Sequence, residues 1–239
     1  MHDADPCPRS SRRIFLSAAT VTAAAVTSEL WLGGEADAQQ SAGGVALNAP
    51  YGLDTVSRKV AKHGPVKCPK IKTVIHRGTH LKYHAPVKVY EGFRQRLELM
   101  ELVIKQVAVR FYGRAPRRIR HLGSYNCRRI SAYPEWISEH GLGNAIDIEG
   151  FDFPRLPTKA ALPAGTPRML MHPFSVGVLT HWKATRGAAG RHREFLHALA
   201  RKLIARKDIF RVLLGPAFPG HANHFHFDVA PYRLVHIFT

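Results

Sequence analysis

Residues 138–153 read SEHGLGNAIDIEGFDF. Over residues 144–151 the run alternates, which predicts a half-buried strand. On that strand Ala145, Asp147 and Glu149 share one face. His140 lies seven residues before Asp147, with Gly141 and Gly143 between them. Two glycines let the chain turn back, so an imidazole and a carboxylate can reach one point. Side chains that only pack do not require this layout.

Outward from this run, a second alternating segment stands near the C-terminus, GHANHFHFD at residues 220–228. A strand over residues 224–230 puts His224, His226 and Asp228 on one face. Phe225, Phe227 and Val229 fall on the other, toward the core. Two imidazoles side by side on a strand, with His140 and Asp147 elsewhere, make a set of nitrogen and oxygen donors suited to zinc. Three protein ligands and one open position characterise catalytic zinc sites rather than structural ones.

The remaining segments frame these two strands. Residues 91–111 place Phe93, Leu97, Met100, Ile104, Val107 and Phe111 at helical spacing, ended by Gly113 and Pro116. A second helix is expected over residues 191–207, with Phe195, Leu196, Leu199, Leu203 and Ile204 on one side. Short strands are expected at residues 117–125 and 209–215. Residues 152–175 are proline-rich and irregular. No βαβ rhythm or internal repeat is present, so the expected class is α+β, a small antiparallel sheet flanked by helices.

The N-terminus has a different character. Residues 11–17 read SRRIFLS, a mildly apolar run covers residues 18–32, and Ala36-Asp37-Ala38 offers a small-residue cleavage site. This order is that of an export signal, and the Arg12–Arg13 pair before Phe15 and Leu16 is of the twin-arginine type. The run is short and poor in Leu and Ile for a spanning helix. The expected organisation is a signal over residues 1–38, a linker or loose arm over 39–65, and one domain over 66–239, exported or periplasmic.

Loss of residues 1–38 leaves 32 basic and 12 acidic residues, a net charge near +20. Such a surface attracts polyanions. The basic residues are scattered and form no recognition helix, and export makes nucleic acid a poor partner. An anionic wall polymer fits better. Of the three cysteines, Cys7 leaves with the signal. Cys68 and Cys127 in an oxidising compartment are most simply read as a disulfide, with two buried free thiols as the alternative.

Ser138, His140, Gly143, Ala145 and Asp147 match S-x-H-x-x-G-x-A-x-D. With the later H-x-H, this resembles the LAS metallopeptidases, among them D-alanyl-D-alanine carboxypeptidases and dipeptidases and the penicillin-insensitive murein endopeptidase. SYNCR, SEHGLGNAIDIEGFDF, FRVLLGP and HANHFHFDVAPY look more closely like the bacterial extensin-like C-terminal domain, over roughly residues 66–232. The resemblance implies a hedgehog-type zinc peptidase fold acting on peptidoglycan or muropeptides. It implies one zinc held by His140, Asp147 and His226, with His224 as base, His221 in support and Arg128 steadying an oxyanion. Ser138 would orient the loop or a ligand histidine.

Two departures stand out. Asn223 occupies a position where the extensin-like pattern usually has an acidic residue. Residues 206–208 lack a cysteine often found in that family. Glu149 rivals His224 as base by strand parity. A salt bridge to a surface carboxylate is the alternative for Arg128. His63, His76, His80, His84, His172, His181, His192, His197 and His236 read as surface or hydrogen-bonded core residues, and Tyr125 and Trp136 as core. The rival functions are a non-catalytic wall-binding protein and a periplasmic metal-handling protein.

Overall fold

The computed structural model describes residues 51–239. The expected signal over residues 1–38 and the first part of the expected linker lie outside the described residues. Chain order is β1 (Thr73–His76), β2 (Lys82–Tyr83), β3 (Val87–Tyr90), α1 (Glu91–Tyr112), β4 (Arg118–Gly123), β5 (Arg129–Ile130) and β6 (Tyr133–Ile137). A 3-10 turn (Glu139–Leu142) follows. Then come β7 (Ala145–Phe153), β8 (Phe174–Gly177), α2 (Val178–His181), α3 (Gly187–Ala205), β9 (Val212–Leu214), β10 (Phe225–Asp228) and β11 (Leu234–His236).

The class is mixed α+β. The main sheet runs β11-β9-β10-β7-β4-β2, with β8 pairing the far half of β7. Its centre is antiparallel, as expected. Its two ends differ from the expectation, because β11 pairs β9 and β2 pairs β4 in parallel. Two small antiparallel pairs, β1–β3 and β5–β6, stand beside it.

Alternation in the sequence becomes register in the sheet. Phe225 sits opposite Ile148 and Phe227 opposite Ile146, and all four are buried. A slip of one residue would turn this apolar set outward, so the core itself fixes the pairing. Helix α1 contributes Phe93, Leu97, Met100 and Ile104 to that core, and α3 contributes Phe195, Leu196, Leu199 and Leu203. Gly113 closes α1 in the left-handed conformation at φ 69°, its N–H donating to the Val109 carbonyl.

Residues 51–65 are not a loose arm. Tyr51 and Leu53 are buried in the main core. Arg58 is 7% exposed and its Nε donates to Glu139 Oε1 at 2.8 Å. The stretch lacks hydrophobic periodicity, because it is held by single anchor residues rather than by a repeating face. Tyr125 and Trp136, expected in the core, are exposed. Trp136 lies on β6 and Tyr125 in the loop before β5, where Lys88 Nζ sits 4.4 Å from its ring centroid. Among the described residues, no helix is long and apolar enough to cross a membrane.

One carboxylate lies inside the core. Glu101 of α1 meets His76 Nε2 at 2.7 Å and accepts the backbone N–H groups of Thr79, His80 and Leu81. Burial alone would push this carboxyl up. The His76 contact and the backbone donors outweigh burial and bring it below the usual glutamate value. The folded-state pKa therefore lies below the unfolded one. Its stabilisation is complete above the ordinary glutamate pKa and is lost as pH falls through the lowered value. Glu101→Gln is expected to cost about 3 kcal/mol at neutral pH in urea unfolding. That difference between the two proteins is expected to narrow as pH falls from the ordinary glutamate value through the lowered one, where the wild-type carboxylate is itself protonated.

Candidate metal centre

Three elements bring their side chains to one point. The β7–β10 register sets His226 directly opposite Asp147. The 3-10 turn then delivers His140 from above the start of β7. Ser138 caps this turn, its hydroxyl accepting the His140 N–H. Gly143 ends it in the left-handed conformation at φ 64°. Gly141, by contrast, has no positive φ. Its missing side chain instead makes room for the disulfide, since a Cβ there would lie 2.6 Å from Cys68 Sγ.

The resulting cluster is tight. His140 Nε2 lies 3.2 Å from Asp147 Oδ2 and 3.2 Å from His226 Nδ1. His226 Nδ1 lies 2.9 Å from Asp147 Oδ1. One donor atom from each of the three residues falls within 4.8 Å of the others. His140 and His226 are buried, and Asp147 is partly open.

The outer nitrogen of each imidazole is committed. His140 Nδ1 meets the Ser124 carbonyl at 3.1 Å, and His226 Nε2 meets Asp228 Oδ2 at 2.7 Å. Both partners only accept, so each of these nitrogens carries the proton. In their neutral forms the two imidazoles therefore present the inner lone pairs, on His140 Nε2 and His226 Nδ1, toward each other and toward the Asp147 carboxylate. Three lone-pair donors facing inward repel one another unless a cation lies among them. A proton or a metal ion could fill that role, and the donor chemistry fits zinc.

The electrostatics follow from the same arrangement. Burial would lower the His226 pKa, but hydrogen bonds to Asp147 and Asp228 raise it to about 9. Burial would raise Asp147, but the contacts with His140 and His226 carry it far below the carboxylate range. His224 behaves differently. Its Nε2 lies 3.6 Å from Asp147 Oδ1, while its Nδ1 meets Asn223 Oδ1 at 2.8 Å. Burial pulls its pKa down to about 4, against the pull of Asp147. At neutral pH it is an uncharged imidazole whose Nε2 is turned to the cluster.

His221 packs tilted against His224 and edge-on to His226, with ring centroids 4.8 Å and 5.7 Å away. Its Nδ1 meets the Pro219 carbonyl. Burial is the main cause of its lowered pKa, and the positive charge of Arg128 adds to it. Arg128 has an exposed side chain, and its backbone carbonyl accepts the Ser138 N–H beside the turn that carries His140. It forms no ion pair with a carboxylate among the described residues. Glu149 points away, toward Arg120 at 3.6 Å. All six residues singled out in the sequence, His140, Asp147, His221, His224, His226 and Arg128, therefore lie in one neighbourhood.

Other supports had little or no sequence signal. Asp228 shares the face of His226 by strand parity, which was visible, but its role as the acceptor for Nε2–H was not. The loop of residues 124–128 holds the 3-10 turn at two points and is itself tied to residue 68. The Asn126 N–H donates to the His140 carbonyl, the Ser138 N–H donates to the Arg128 carbonyl, and Cys127 is bonded to Cys68. On the other side, Arg58 grips Glu139, and Asn144 donates to the Val229 carbonyl at 3.0 Å, linking the turn to β10.

A family model described as the extensin-like protein C-terminus matches residues 45–156, just under half of the chain. The match begins before Cys68 and takes in the anchored stretch from residue 51. It includes Ser138, His140 and Asp147 and ends before His221, His224 and His226. No curated protein and no solved structure matches the chain.

The packing of Gly141 on the disulfide gives a direct check. Gly141→Ala is expected to destabilise the protein by about 1–3 kcal/mol through overpacking. In a background lacking both cysteines (Cys68→Ala with Cys127→Ala) that cost is expected to shrink by more than about 0.5 kcal/mol, the limit for independent sites. Urea unfolding of the four proteins measures this coupling. Equal costs in the two backgrounds would show that the disulfide does not bear on the turn.

Proposed function

We propose that this protein is an exported zinc-dependent peptidase that hydrolyses an amide bond in cell-wall peptide. The observation that carries the proposal is the convergence of His140 Nε2, His226 Nδ1 and the Asp147 carboxylate, with the outer nitrogen of each imidazole already bonded. A zinc ion bound there would supply Lewis-acid polarisation of a carbonyl and a lowered water pKa.

The surrounding residues have roles that fit amide hydrolysis. His224 is neutral at pH 7 and turns Nε2 to the cluster, so it can accept a proton there and return it to the leaving amine. Arg128, whose side chain is exposed, can stabilise negative charge as it develops on the carbonyl oxygen. His221 packs against His224 and His226 and limits their motion. Asn223 accepts from His224 Nδ1 and so keeps Nε2 as the free base.

Export is supported by the Arg12–Arg13 leader and by the Cys68–Cys127 disulfide, a bond of oxidising compartments. The excess of basic residues favours contact with anionic wall polymer. The LAS relationship and the hedgehog-type fold belong to this proposal, resting on the two motifs and their order. A second reading is a wall-binding protein that keeps the metal but not the turnover. Asn223 favours it, because an amide cannot raise the basicity of His224 as a carboxylate would.

Purified protein is expected to hold one zinc per chain by elemental mass spectrometry, and His140→Ala and His226→Ala to hold none. Wild type is expected to cleave muropeptides, followed by chromatography and mass spectrometry. Hydrolysis retained in His226→Ala would overturn the mechanism, and one zinc without turnover would favour the wall-binding reading. Asp228→Asn is expected to weaken zinc binding by about 10–100-fold, as loss of the group behind a ligand histidine does. Competition with a chromophoric chelator measures it.

A further inference from the structure

The face of the main sheet that carries Asp147 continues past the cluster. Along β7 the core-facing residues change from Ile146 and Ile148 to Phe151 and Phe153. The change of parity is a bulge: Arg120 pairs with Gly150 but His121 with Ile148, leaving Glu149 unmatched on β4. Asp147, Glu149 and Asp152 consequently all lie on the side away from the core. Arg118 and Arg120 of β4 join them there, both hydrogen-bonded to Asp152, with Glu149 as a looser ion pair of Arg120 at 3.6 Å.

At the far end of this face an open cleft of about 420 Å³ is lined by Arg117, Arg118, Arg120 and the Asp152 carboxylate that pairs with the last two, together with Phe153, Pro173, Phe174 and Ser175. That size is within the range of small-ligand sites. Two glycines beside the cleft leave room for Arg120. A Cβ at Gly150 would lie 2.6 Å from Arg120 Nη2, and one at Gly177 3.5 Å from it. Arg120 therefore lies flat across β7 and β8, and its Nη2 donates to the Val176 carbonyl at 3.3 Å. Ser175 Oγ donates to Asp152 at 2.7 Å.

The charges here do not cancel. Three guanidinium groups face two carboxylates, and Arg117 forms no ion pair among the described residues. Asp147 and Asp152 are five residues apart on one strand, roughly 16 Å at strand rise. An extended peptide of about five residues covers the same distance.

We propose that the Arg117–Arg118–Arg120 cleft binds a carboxylate of the same extended peptide whose amide bond lies at the His140–Asp147–His226 cluster, which rests on the peptidase reading. Arginine suits this task, because its planar fork pairs with a carboxylate through two parallel hydrogen bonds. Phe174 shields one side and strengthens the pairing. The cleft thereby selects peptides with an acidic group about five residues from the scissile bond.

The test uses the full zinc-loaded chain and a five-residue peptide labelled with fluorescein at its N-terminus, as the free C-terminal acid and as the amide. Anisotropy reports binding, and mass spectrometry after each titration confirms intact peptide. Wild type is expected to bind the acid about tenfold more tightly than the amide, the worth of one charged hydrogen bond. Arg117→Ala is expected to abolish that preference with zinc content unchanged. Arg117 is exposed and outside the Asp152 ion pairs, so its removal leaves no buried charge behind. Equal binding of acid and amide by wild type, or a preference that survives Arg117→Ala, overturns the proposal. Sodium polyphosphate that binds in an Arg117-dependent way while acid and amide bind equally also overturns it, in favour of a phosphate polymer. An acid preference without muropeptide turnover removes the peptidase reading and leaves the cleft as a peptide subsite. Turnover without an acid preference removes the cleft alone.

Discussion

The pairing of β10 with β7 is the constraint on which the rest depends. Phe225 and Phe227 lie against Ile148 and Ile146 on the core side. Burial of each such side chain is worth about 1.5–3 kcal/mol, so the register is held by several of these terms at once. The opposite face inherits that register without adding to it. His226 faces Asp147 because the phenylalanines beside it cannot be anywhere else. The cluster is therefore placed by hydrophobic packing, and its own electrostatics need not supply the folding energy.

Packing alone would leave the imidazoles free to rotate. Their orientation comes from acceptors behind them, the Ser124 carbonyl for His140 and Asp228 for His226. Those acceptors are in turn fixed. Ser124 belongs to the loop tied by the disulfide, and its hydroxyl donates to the Lys88 carbonyl. Asp228 also accepts the Ala230 N–H and so remains at the end of β10. The inward lone pairs are the consequence of this frame. A high His226 pKa and a low Asp147 pKa are two expressions of one fact: the cluster attracts positive charge. His224 lies just outside and stays neutral.

The sheet also connects the cluster to its surroundings. A single bulge at Glu149 lets β7 keep an apolar face to the core on both sides of Gly150 while its polar face runs on from Asp147 to Asp152. Two glycines let Arg120 lie across that face. The result is a polar track with a donor cluster at one end and excess guanidinium charge at the other, on a chain that is already strongly basic.

Much of this was legible in the sequence, and for a definite reason. Period-two alternation in 144–151 and 224–230 reports which side chains share a face, and the residue types on the polar faces are those that bind metals. The strands β4, β7, β9 and β10, both long helices and the three residues of the cluster follow from those patterns and from the family resemblance. Alternation says nothing about a partner strand, however, so it could not give the parallel ends of the sheet. Single anchors such as Tyr51, Leu53 and Arg58 have no period, and a stretch without a period reads as a linker. Tyr125 and Trp136 read as core because aromatic residues usually are, whereas exposure depends on whether another layer exists to cover them. The sequence by itself determined which residues could meet at one point. Only the tertiary structure decided which nitrogen of each imidazole faces inward, because that depends on acceptors brought from distant parts of the chain.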